Sequence, residues 1–318
     1  MLSSTSRPLL VVKAGADLTP AGWLRLFAEL APEVDAVWLD ESPSDPSRVA
    51  YAFAWAPPLG RLAQFPNLRL IVGDAVGVGH LLRDETLPAV PIVRMGGAEL
   101  GHRMGEYVCL ACLALLRELP RSLANRQAQL WEEFTPDRTA CDTRVGILGL
   151  GRLGTRAAQM LRGLGFAVAG WSTARKALDG VQSFAGADEL PALLRRSDLL
   201  VNLLPETPQT RWLLNRETLA LLPDGAGVVN VGRGNHLVLP DLIAAIDAGK
   251  LCGAVLDVFE PEPLPKNHPA WSHEKLIVTA HGAAYLPARG RARAVAEAIR
   301  ADLRGAVPDN LYDPAVGY

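Results

Sequence analysis

Short apolar runs alternate with amphipathic stretches over the first third of the chain. The runs "PLLVV", "VDAVWL", "VAYAFAW" and "LRLIV" have the length of strands, and residues 21–30 have the spacing of a helix with one apolar face. Alternation of this kind predicts βα units around a parallel sheet. A glycine-rich stretch, "RMGGAELGHRMG" (94–105), interrupts the pattern; we interpret it as a hinge or crossing loop, followed by a helix over 106–119.

A second series of apolar runs starts at "RVGILGL" (144–150) and continues through "FAVAGW", "SDLLVNLL", "GAGVVNV", "CGAVLDV" and "KLIVTAH". Strands that are apolar almost throughout are typical of parallel sheets with both faces covered. A last helix starts near Pro287 and is expected to return to the first domain. The pattern predicts an α/β protein of two domains, one built from both chain ends (1–102 and 287–318) and one from 103–286.

Composition narrows the class of partner. Of the 318 residues 49% are apolar and 21% are charged, and the net charge is -2. This balance is typical of a globular protein and offers no field of one sign for a nucleic acid or an anionic membrane. The longest apolar stretch, 107–116, is far shorter than the ~20 residues of a membrane span, and the first residues lack a signal-peptide pattern. We expect a soluble, cytoplasmic protein whose partners are small molecules.

Cysteines and histidines do not indicate a metal or redox site. Cys109 and Cys112 form a CxxC motif inside a helical apolar pattern, which favours packing. His268 and His273 lie in a proline-containing loop without a third ligand, so no metal site is predicted. Trp131 is interpreted as a packing residue at helical spacing, with contact to a partner subunit as the alternative.

The segment "GLGRLG" places Gly149, Gly151 and Gly154 in the GxGxxG spacing. It follows the strand pattern "RVGIL" and opens a helical pattern, which is the context in which this motif binds the diphosphate of a dinucleotide. Backbone N–H groups and the positive end of the helix dipole would then face the phosphates. The sequence therefore predicts dinucleotide binding.

The segment "GWSTARK" (170–176) bears on which dinucleotide is bound. About 20 residues after the glycine motif, NAD-binding proteins usually have an Asp or Glu that bonds the adenosine ribose. Here Ser172 takes that place, followed by Arg175 and Lys176. The two bases could hold a 2'-phosphate, Arg through a bidentate fork and Lys as a point charge. The pattern favours NADP(H), with NAD(H) still possible and a solvated basic turn as the alternative interpretation.

Three polar residues follow later strands: Arg233 in "VNVGRG", Glu262 in "LDVFEPEPLP" and His281 in "VTAHGAA". Ligands of open α/β sheets bind at strand ends. An Arg can hold the carboxylate of a 2-oxo acid, and a His oriented by a carboxylate can protonate its carbonyl oxygen while hydride reaches the carbon. These residues predict 2-oxo acid reduction, although their spacing alone does not show that they meet.

Most of the chain resembles the D-2-hydroxyacid dehydrogenase family, and within it the glyoxylate/hydroxypyruvate reductase A branch. The resemblance rests on "AFAWAPP", "GILGLGRLG", "GWSTARK", "LVNLLPETPQT", "LLPDGAGVVNVGRG", "GAVLDVFEPEPLP" followed by "PAW", and the closing "GY". It implies a Rossmann cofactor domain with a doubly wound parallel sheet, a flavodoxin-like substrate domain, and a homodimer joined through the cofactor domains.

The resemblance also implies roles for individual residues. Arg233 would bind the substrate, Glu262 would pair with His281, and His281 would act as acid and base. The other implied contacts are Trp55, Val78 and Gly79 for the substrate, and Arg152, Leu153, Leu204, Pro205, Val231 and Asp257 for the cofactor.

Some positions depart from the family pattern. The carboxylate loop reads "AVGVG", with Ala75 for the usual first Gly and Gly79 for the usual Asp, so we expect a looser loop. Ala280 replaces the usual Pro before the catalytic His and is expected to shift the ring slightly, because Pro restricts φ. Three further histidines fall near the site by motif position: His80, His102 and His236. We interpret each as a surface or hydrogen-bonded structural residue, with contact to the ligand as the alternative.

The sequence thus predicts an NADPH-dependent reductase that converts glyoxylate to glycolate and hydroxypyruvate to D-glycerate. Two alternatives stay open: a dehydrogenase for a bulkier D-2-hydroxy acid, and a catalytically silent NAD(P)-sensing protein. The complete set of Arg233, Glu262 and His281 favours an enzyme, because a sensor needs no proton donor.

Overall fold

The chain forms two compact units in the computed structural model, which describes residues 7–314. The first comprises the described parts of Met1–Glu99 and Leu286–Tyr318, and the second comprises Leu100–Tyr285. The closing "GY" motif lies outside the described residues. Each unit is built on one parallel sheet with helices packed against it.

Neighbouring strands are parallel in both sheets. In chain order the strands are β1 (Leu9–Lys13), β2 (Asp35–Trp38), β3 (Val49–Ala54), β4 (Leu70–Gly73), β5 (Ile92–Val93), β6 (Arg144–Leu148), β7 (Ala167–Ser172), β8 (Gln182–Ala185), β9 (Leu199–Asn202), β10 (Ala226–Asn230), β11 (Leu251–Leu256) and β12 (Leu276–Val278). The α-helices are α1 (Pro20–Leu30), α2 (Gly79–Leu82), α3 (Ala98–Leu116), α4 (Leu119–Gln127), α5 (Arg152–Gly163), α6 (Gly186–Arg196), α7 (Arg216–Ala220), α8 (Leu239–Asp247) and α9 (Ala288–Leu303). Within residues 7–314, no helix is both long and apolar enough to cross a membrane.

The sheet of the first unit has the order β2-β1-β3-β4-β5. Its central strand β3 is buried at every residue, which explains its uninterrupted apolar sequence. Trp23 and Phe27 of α1 pack on one face of β3, with ring centroids 5.5 and 5.8 Å from that of Phe53. Thr19 caps α1 by accepting a hydrogen bond from the backbone N–H of Gly22.

Helix α9, from the end of the chain, packs in this same unit against α1 and β4. Arg300 donates to Glu33 at 2.7 Å, and the hydroxyl of Tyr51 in β3 donates to Asp302 at 2.7 Å. These contacts join the C-terminal segment to the N-terminal sheet.

The sheet of the second unit has the order β12-β11-β10-β9-β6-β7-β8. The chain proceeds from β6 outward to β8 and then returns to the other side of β6 with β9, so the strand order reverses beside β6. Such a reversal opens a crevice at the carboxyl ends of the strands, where ligands of doubly wound sheets bind. Strands β9 and β10 are buried at every residue. The predicted α/β fold class with a doubly wound parallel sheet is confirmed.

The prediction of a loop through the glycine-rich stretch 94–105 was wrong, because α3 already begins at Ala98. A Cβ on Gly105 would overlap the sulfur of Met160 in α5, and one on Gly101 would also contact α5. Glycine therefore allows close approach of the two helices, and this packing outweighs the low helix propensity of the segment.

Candidate active site

The glycine motif forms the turn between β6 and α5. Gly149 has a φ of +99°, which favours glycine, and a Cβ on Gly154 would overlap the carbonyl oxygen of Gly149. Gly151 is the N-cap of α5, and a Cβ there would face open space. The turn therefore presents backbone N–H groups and open space at the positive end of a 12-residue helix, an arrangement that fits a diphosphate.

Replacing Gly154 by Ala should lower the free energy of unfolding by about 1–3 kcal/mol, because the added methyl group has to displace the Gly149 carbonyl. Gly151→Ala is the matched control, since its methyl group would meet open space. Urea unfolding of both variants checks this. Equal loss of stability in the two variants would contradict the packing argument.

The predicted 2'-phosphate site lies at the carboxyl end of β7. Arg175 donates to the carboxylate of Glu189 at 2.5 Å and to the backbone oxygen of Ser183. The backbone N–H of Lys176 donates to the Ser183 hydroxyl at 2.9 Å, and Ser172 donates to a backbone oxygen within the turn. The side chains of Arg175 and Lys176 are exposed. Sequence reasoning missed Glu189, which holds Arg175 in place from α6.

The structure brings His281 and Glu262 together at the carboxyl edge of the second sheet. Nδ1 of His281 lies 2.8 Å from Oε2 of Glu262. The other carboxylate oxygen accepts from the backbone N–H of Phe259 at 2.9 Å, which fixes its orientation. This arrangement holds Nδ1 of His281 on a carboxylate, so Nε2 points away from Glu262. A proton donor needs such a second nitrogen for the substrate.

Arg233 follows β10 in the same unit, and one N–H of its guanidinium donates to the backbone oxygen of Gly232 at 2.6 Å. Burial lowers the pKa of Arg233, while the charges of Glu206 and Glu262 raise it. Arg233 is therefore a partly buried cation that feels the charges of Glu206 and Glu262, and it is suited to an anionic ligand.

Asp257, at the end of β11, organises the turn that carries His281. Its buried carboxylate accepts from the hydroxyl of Thr279 at 2.6 Å and from the backbone N–H groups of Gly282 and Ala283 at 2.8 and 2.9 Å. Its backbone oxygen accepts from the N–H of His281, which has a φ of +52°. The Asp257 carboxylate therefore has an internal structural role, and the predicted proximity to the nicotinamide stays a prediction.

The predicted substrate residues of the first unit follow β3 and β4. Trp55 is 47% exposed, and its ring packs against that of His80 with 4.4 Å between centroids and 32° between the ring planes. Val78 is the buried N-cap of α2 and Gly79 is its first residue. At Ala75, the backbone oxygen accepts from Met95 at 2.9 Å, which ties down the start of the loop that the sequence predicted to be looser.

The predicted cofactor contacts Leu204 and Val231 are buried at the ends of β9 and β10. Both are held by Asn202: its side-chain oxygen accepts from the N–H of Leu204, and its backbone oxygen accepts from that of Val231. Asn202 also contacts the buried ring of His236. A buried polar cluster thus contacts the backbone of two predicted cofactor residues.

A family model described as "D-isomer specific 2-hydroxyacid dehydrogenase, NAD binding domain" matches residues 109–283, more than half of this chain. The chain belongs to the D-isomer specific 2-hydroxyacid dehydrogenase family. The resemblance seen in the sequence motifs is confirmed, and so is the predicted class of NAD(P)-dependent oxidoreductase.

Proteins similar to this dehydrogenase include the glyoxylate/hydroxypyruvate reductase A of Yersinia enterocolitica, 40% identical over 286 residues that cover 88% of this chain and 89% of the relative. A D-isomer specific 2-hydroxyacid dehydrogenase from Xanthobacter autotrophicus Py2, solved with NADPH and MES, has a TM-score of 0.91 and 38% identity, with 98% of this chain and 100% of that chain covered. An NADPH-dependent glyoxylate/hydroxypyruvate reductase from Sinorhizobium meliloti, solved with NADP and sulfate, has a TM-score of 0.89 and 32% identity at the same coverage.

The structure also places the cysteines, two histidines and a tryptophan that the sequence analysis considered. Cys109 and Cys112 are buried in the apolar core, so the prediction of packing is confirmed, and burial raises the pKa of both thiols. His268 accepts from a backbone N–H, and His273 pairs with an aspartate; no metal-binding group of three His, Cys, Asp or Glu occurs in residues 7–314. Trp131 is 90% exposed beyond the end of α4, so its interpretation as a packing residue was wrong.

His236 should make the dehydrogenase less stable in acid. Burial and the charge of Arg233 lower the pKa of His236 to about 4 from 6.5. Between these values the unfolded chain binds more protons at this residue, so stability falls as the pH drops from 6.5 towards 4, by about 2–3 kcal/mol in total. Urea unfolding of wild type and His236→Asn at about pH 7 and pH 4.5 checks this. Between about pH 7 and pH 4.5 the free energy of unfolding should fall more in wild type than in His236→Asn. An equal fall in both proteins would contradict the predicted role of His236.

Proposed function

We propose that this dehydrogenase reduces small 2-oxo acids with NADPH, glyoxylate to glycolate and hydroxypyruvate to D-glycerate. The observation that carries the proposal is the 2.8 Å contact between His281 and Glu262, which forms an acid–base pair at the ligand-binding edge of the sheet. Arg233 in the same unit supplies a cation for the substrate. The printed names of the relatives, including an NADPH-dependent glyoxylate/hydroxypyruvate reductase, support the substrate and the cofactor.

In this proposal Arg233 binds the substrate carboxylate through its guanidinium and places an N–H near the carbonyl oxygen. Burial strengthens both interactions, because less water competes for the charge. Developing negative charge on the carbonyl oxygen is thereby stabilised, and the carbonyl carbon is held in position for attack.

His281 protonates the carbonyl oxygen from Nε2. Glu262 holds Nδ1, which keeps the ring in one orientation and stabilises the imidazolium before proton transfer. NADPH, when bound, would supply a hydride for the carbonyl carbon. In the reverse direction His281 accepts the proton of the 2-hydroxy acid.

The cofactor contacts are proposed from the turn geometry and the sequence. Gly149, Gly151 and Gly154 form the diphosphate cradle, with Arg152 and Leu153 in the first turn of α5. The proposed 2'-phosphate site consists of Ser172, Arg175 and Lys176, and the other proposed contacts are Leu204, Pro205, Val231 and Asp257.

Several features stay predictions. These are substrate contacts from Trp55, Val78 and Gly79, the assignment of substrate binding to the domain formed by both chain ends, a homodimer joined through the cofactor domains, no binding of nucleic acid, and a cytoplasmic location.

A steady-state panel tests the proposed function. Glyoxylate, hydroxypyruvate and the bulkier phenylpyruvate are each reduced with NADPH and with NADH at matched concentrations. We expect the highest kcat/KM for the two small acids with NADPH. Faster turnover of phenylpyruvate would assign a bulkier 2-hydroxy acid, and binding of NADPH without turnover of any acid would assign a sensor.

A further inference from the structure

A buried polar cluster beneath Arg233 has no part in the chemistry described above. His236, Asn202 and Asn230 are fully buried, and Thr210 is 8% exposed. Buried polar groups need hydrogen-bond partners, and a satisfied network fixes one arrangement of the chain around it. The partners of His236 therefore show what this network holds in place.

The hydrogen bonds assign the tautomer of His236. Nδ1 faces two donors, the side-chain amide of Asn202 at 3.0 Å and the backbone N–H of Arg233 at 3.3 Å. A nitrogen that accepts from two donors carries no proton, so the proton of the neutral ring is on Nε2. Nε2 lies 3.3 Å from the hydroxyl oxygen of Thr210 and donates to it.

The ring joins two loops. On the Nδ1 side it contacts the backbone of Arg233, whose backbone oxygen also accepts from Asn230 at 3.1 Å. On the Nε2 side it contacts Thr210, whose hydroxyl is 2.8 Å from the backbone oxygen of Pro205 and accepts from the N–H of Thr207 at 2.9 Å. His236 thus connects the loop of the proposed substrate arginine with the loop after β9, which holds proposed cofactor contacts.

We propose that His236 is a positioning residue that couples these two loops by holding one on each side of its ring, so that a single side chain supports the geometry of both the substrate site and the cofactor site. The inference rests on the proposed function in assigning Arg233 to the substrate carboxylate. The ring acts as a neutral spacer with an acceptor on one side and a donor on the other. It exchanges no proton during the reaction, since both nitrogens are occupied within the protein.

Protonation would break this coupling. An imidazolium presents N–H groups on both nitrogens, and the one at Nδ1 would face the donors of Asn202 and Arg233. The charged groups that act on the ring are Arg233, which disfavours a second positive charge, and Glu206, which favours it. Burial has the largest effect, and together with the charge of Arg233 it lowers the pKa of His236.

Three variants separate the two sides of the ring. His236→Leu removes both, and we expect about a tenfold rise in the KM for glyoxylate and in the Kd for NADPH, with a smaller change in kcat. Thr210→Val removes the Nε2 partner together with the bonds of that hydroxyl to Pro205 and Thr207, and leaves the Nδ1 side intact. It should weaken NADPH binding without changing the KM for glyoxylate. His236→Asn retains an acceptor near Nδ1 and should restore the glyoxylate KM to within about threefold of wild type.

Two readouts do not depend on turnover. Nitrogen NMR of the His236 ring should show a bare Nδ1 and a protonated Nε2 between about pH 5 and pH 8. The Kd for NADPH is measured from the fluorescence of the reduced nicotinamide. If the wild type reduced no 2-oxo acid, the proposed function would fail, and these two measurements would still test the tautomer of the ring and its effect on the cofactor loop.

The proposal is overturned if the ring carries its proton on Nδ1 or titrates within that pH range. It is also overturned if His236→Leu leaves both constants within about twofold of wild type, or lowers kcat alone. Should His236→Leu fail to fold, the other two variants still test the proposal. Thr210→Val should weaken NADPH binding at an unchanged KM for glyoxylate, and His236→Asn should keep that KM within about threefold of wild type.

Discussion

Replacing His281 by Asn should lower kcat for glyoxylate reduction by about 10²–10⁴-fold, the contribution of a positioned proton donor. Asn can occupy the space of the ring but cannot deliver a proton to the forming alkoxide. The KM for glyoxylate should change little, because Arg233 remains. Stopped-flow measurement of NADPH oxidation at saturating substrate checks the chemical step directly.

The matched control for this variant is His273→Asn. His273 also forms a histidine–carboxylate pair, with Asp247 at 3.2 Å, but this pair is not among the proposed catalytic residues. We expect its kcat to equal that of wild type.

Glu262→Gln should reduce kcat as well, because the amide neither stabilises the imidazolium nor fixes the ring in the same way. Full activity in His281→Asn would show that the proton comes from another group.

Replacing Arg175 and Lys176 together by Ala should lower the ratio of kcat/KM for NADPH to that for NADH by about 10²–10⁴-fold. Each charged hydrogen bond to a phosphate contributes about 1.5–3 kcal/mol to binding. Only NADPH loses these bonds in the variant, because NADH has no 2'-phosphate. The rate with NADH should therefore stay close to the wild-type rate. Initial rates with both cofactors, for wild type and variant, give the ratio.

Glu189→Gln is the matched control for the cofactor variant. It removes the ion pair with Arg175 but keeps both basic residues, whose charges remain available to a 2'-phosphate, so the preference for NADPH should persist. If the wild type already used NADH as well as NADPH, Arg175 would simply be a surface cation paired with Glu189, and the proposed phosphate site would be wrong. Increasing salt should weaken NADPH binding more than NADH binding, because exposed charges are screened.

Local patterns in the sequence determined much of this fold. Uninterrupted apolar runs predicted the parallel strands, since a strand that is covered on both faces has no solvent-exposed face and needs no alternating polar residues. The glycines at 149, 151 and 154 predicted the turn before α5. Gly149 has a positive φ, Gly154 lies against the Gly149 carbonyl, and Gly151 leaves open space at the start of the helix. The loop predicted through 94–105 failed because glycine has a low helix propensity, while the packing of α3 against α5 is a long-range contact.

The identities of the proposed catalytic residues could likewise be predicted, because Arg, Glu and His suit the chemistry and each follows an apolar run. Their meeting was decided by the tertiary structure. Glu262 and His281 are 19 positions apart and come together because β11 and β12 are neighbours in the sheet. The same holds for the pairing of Arg175 with Glu189 and for the buried ring of His236 between two loops. Periodicity and motif spacing report the local backbone, whereas these contacts depend on strand order and burial, which arise only when distant segments pack together.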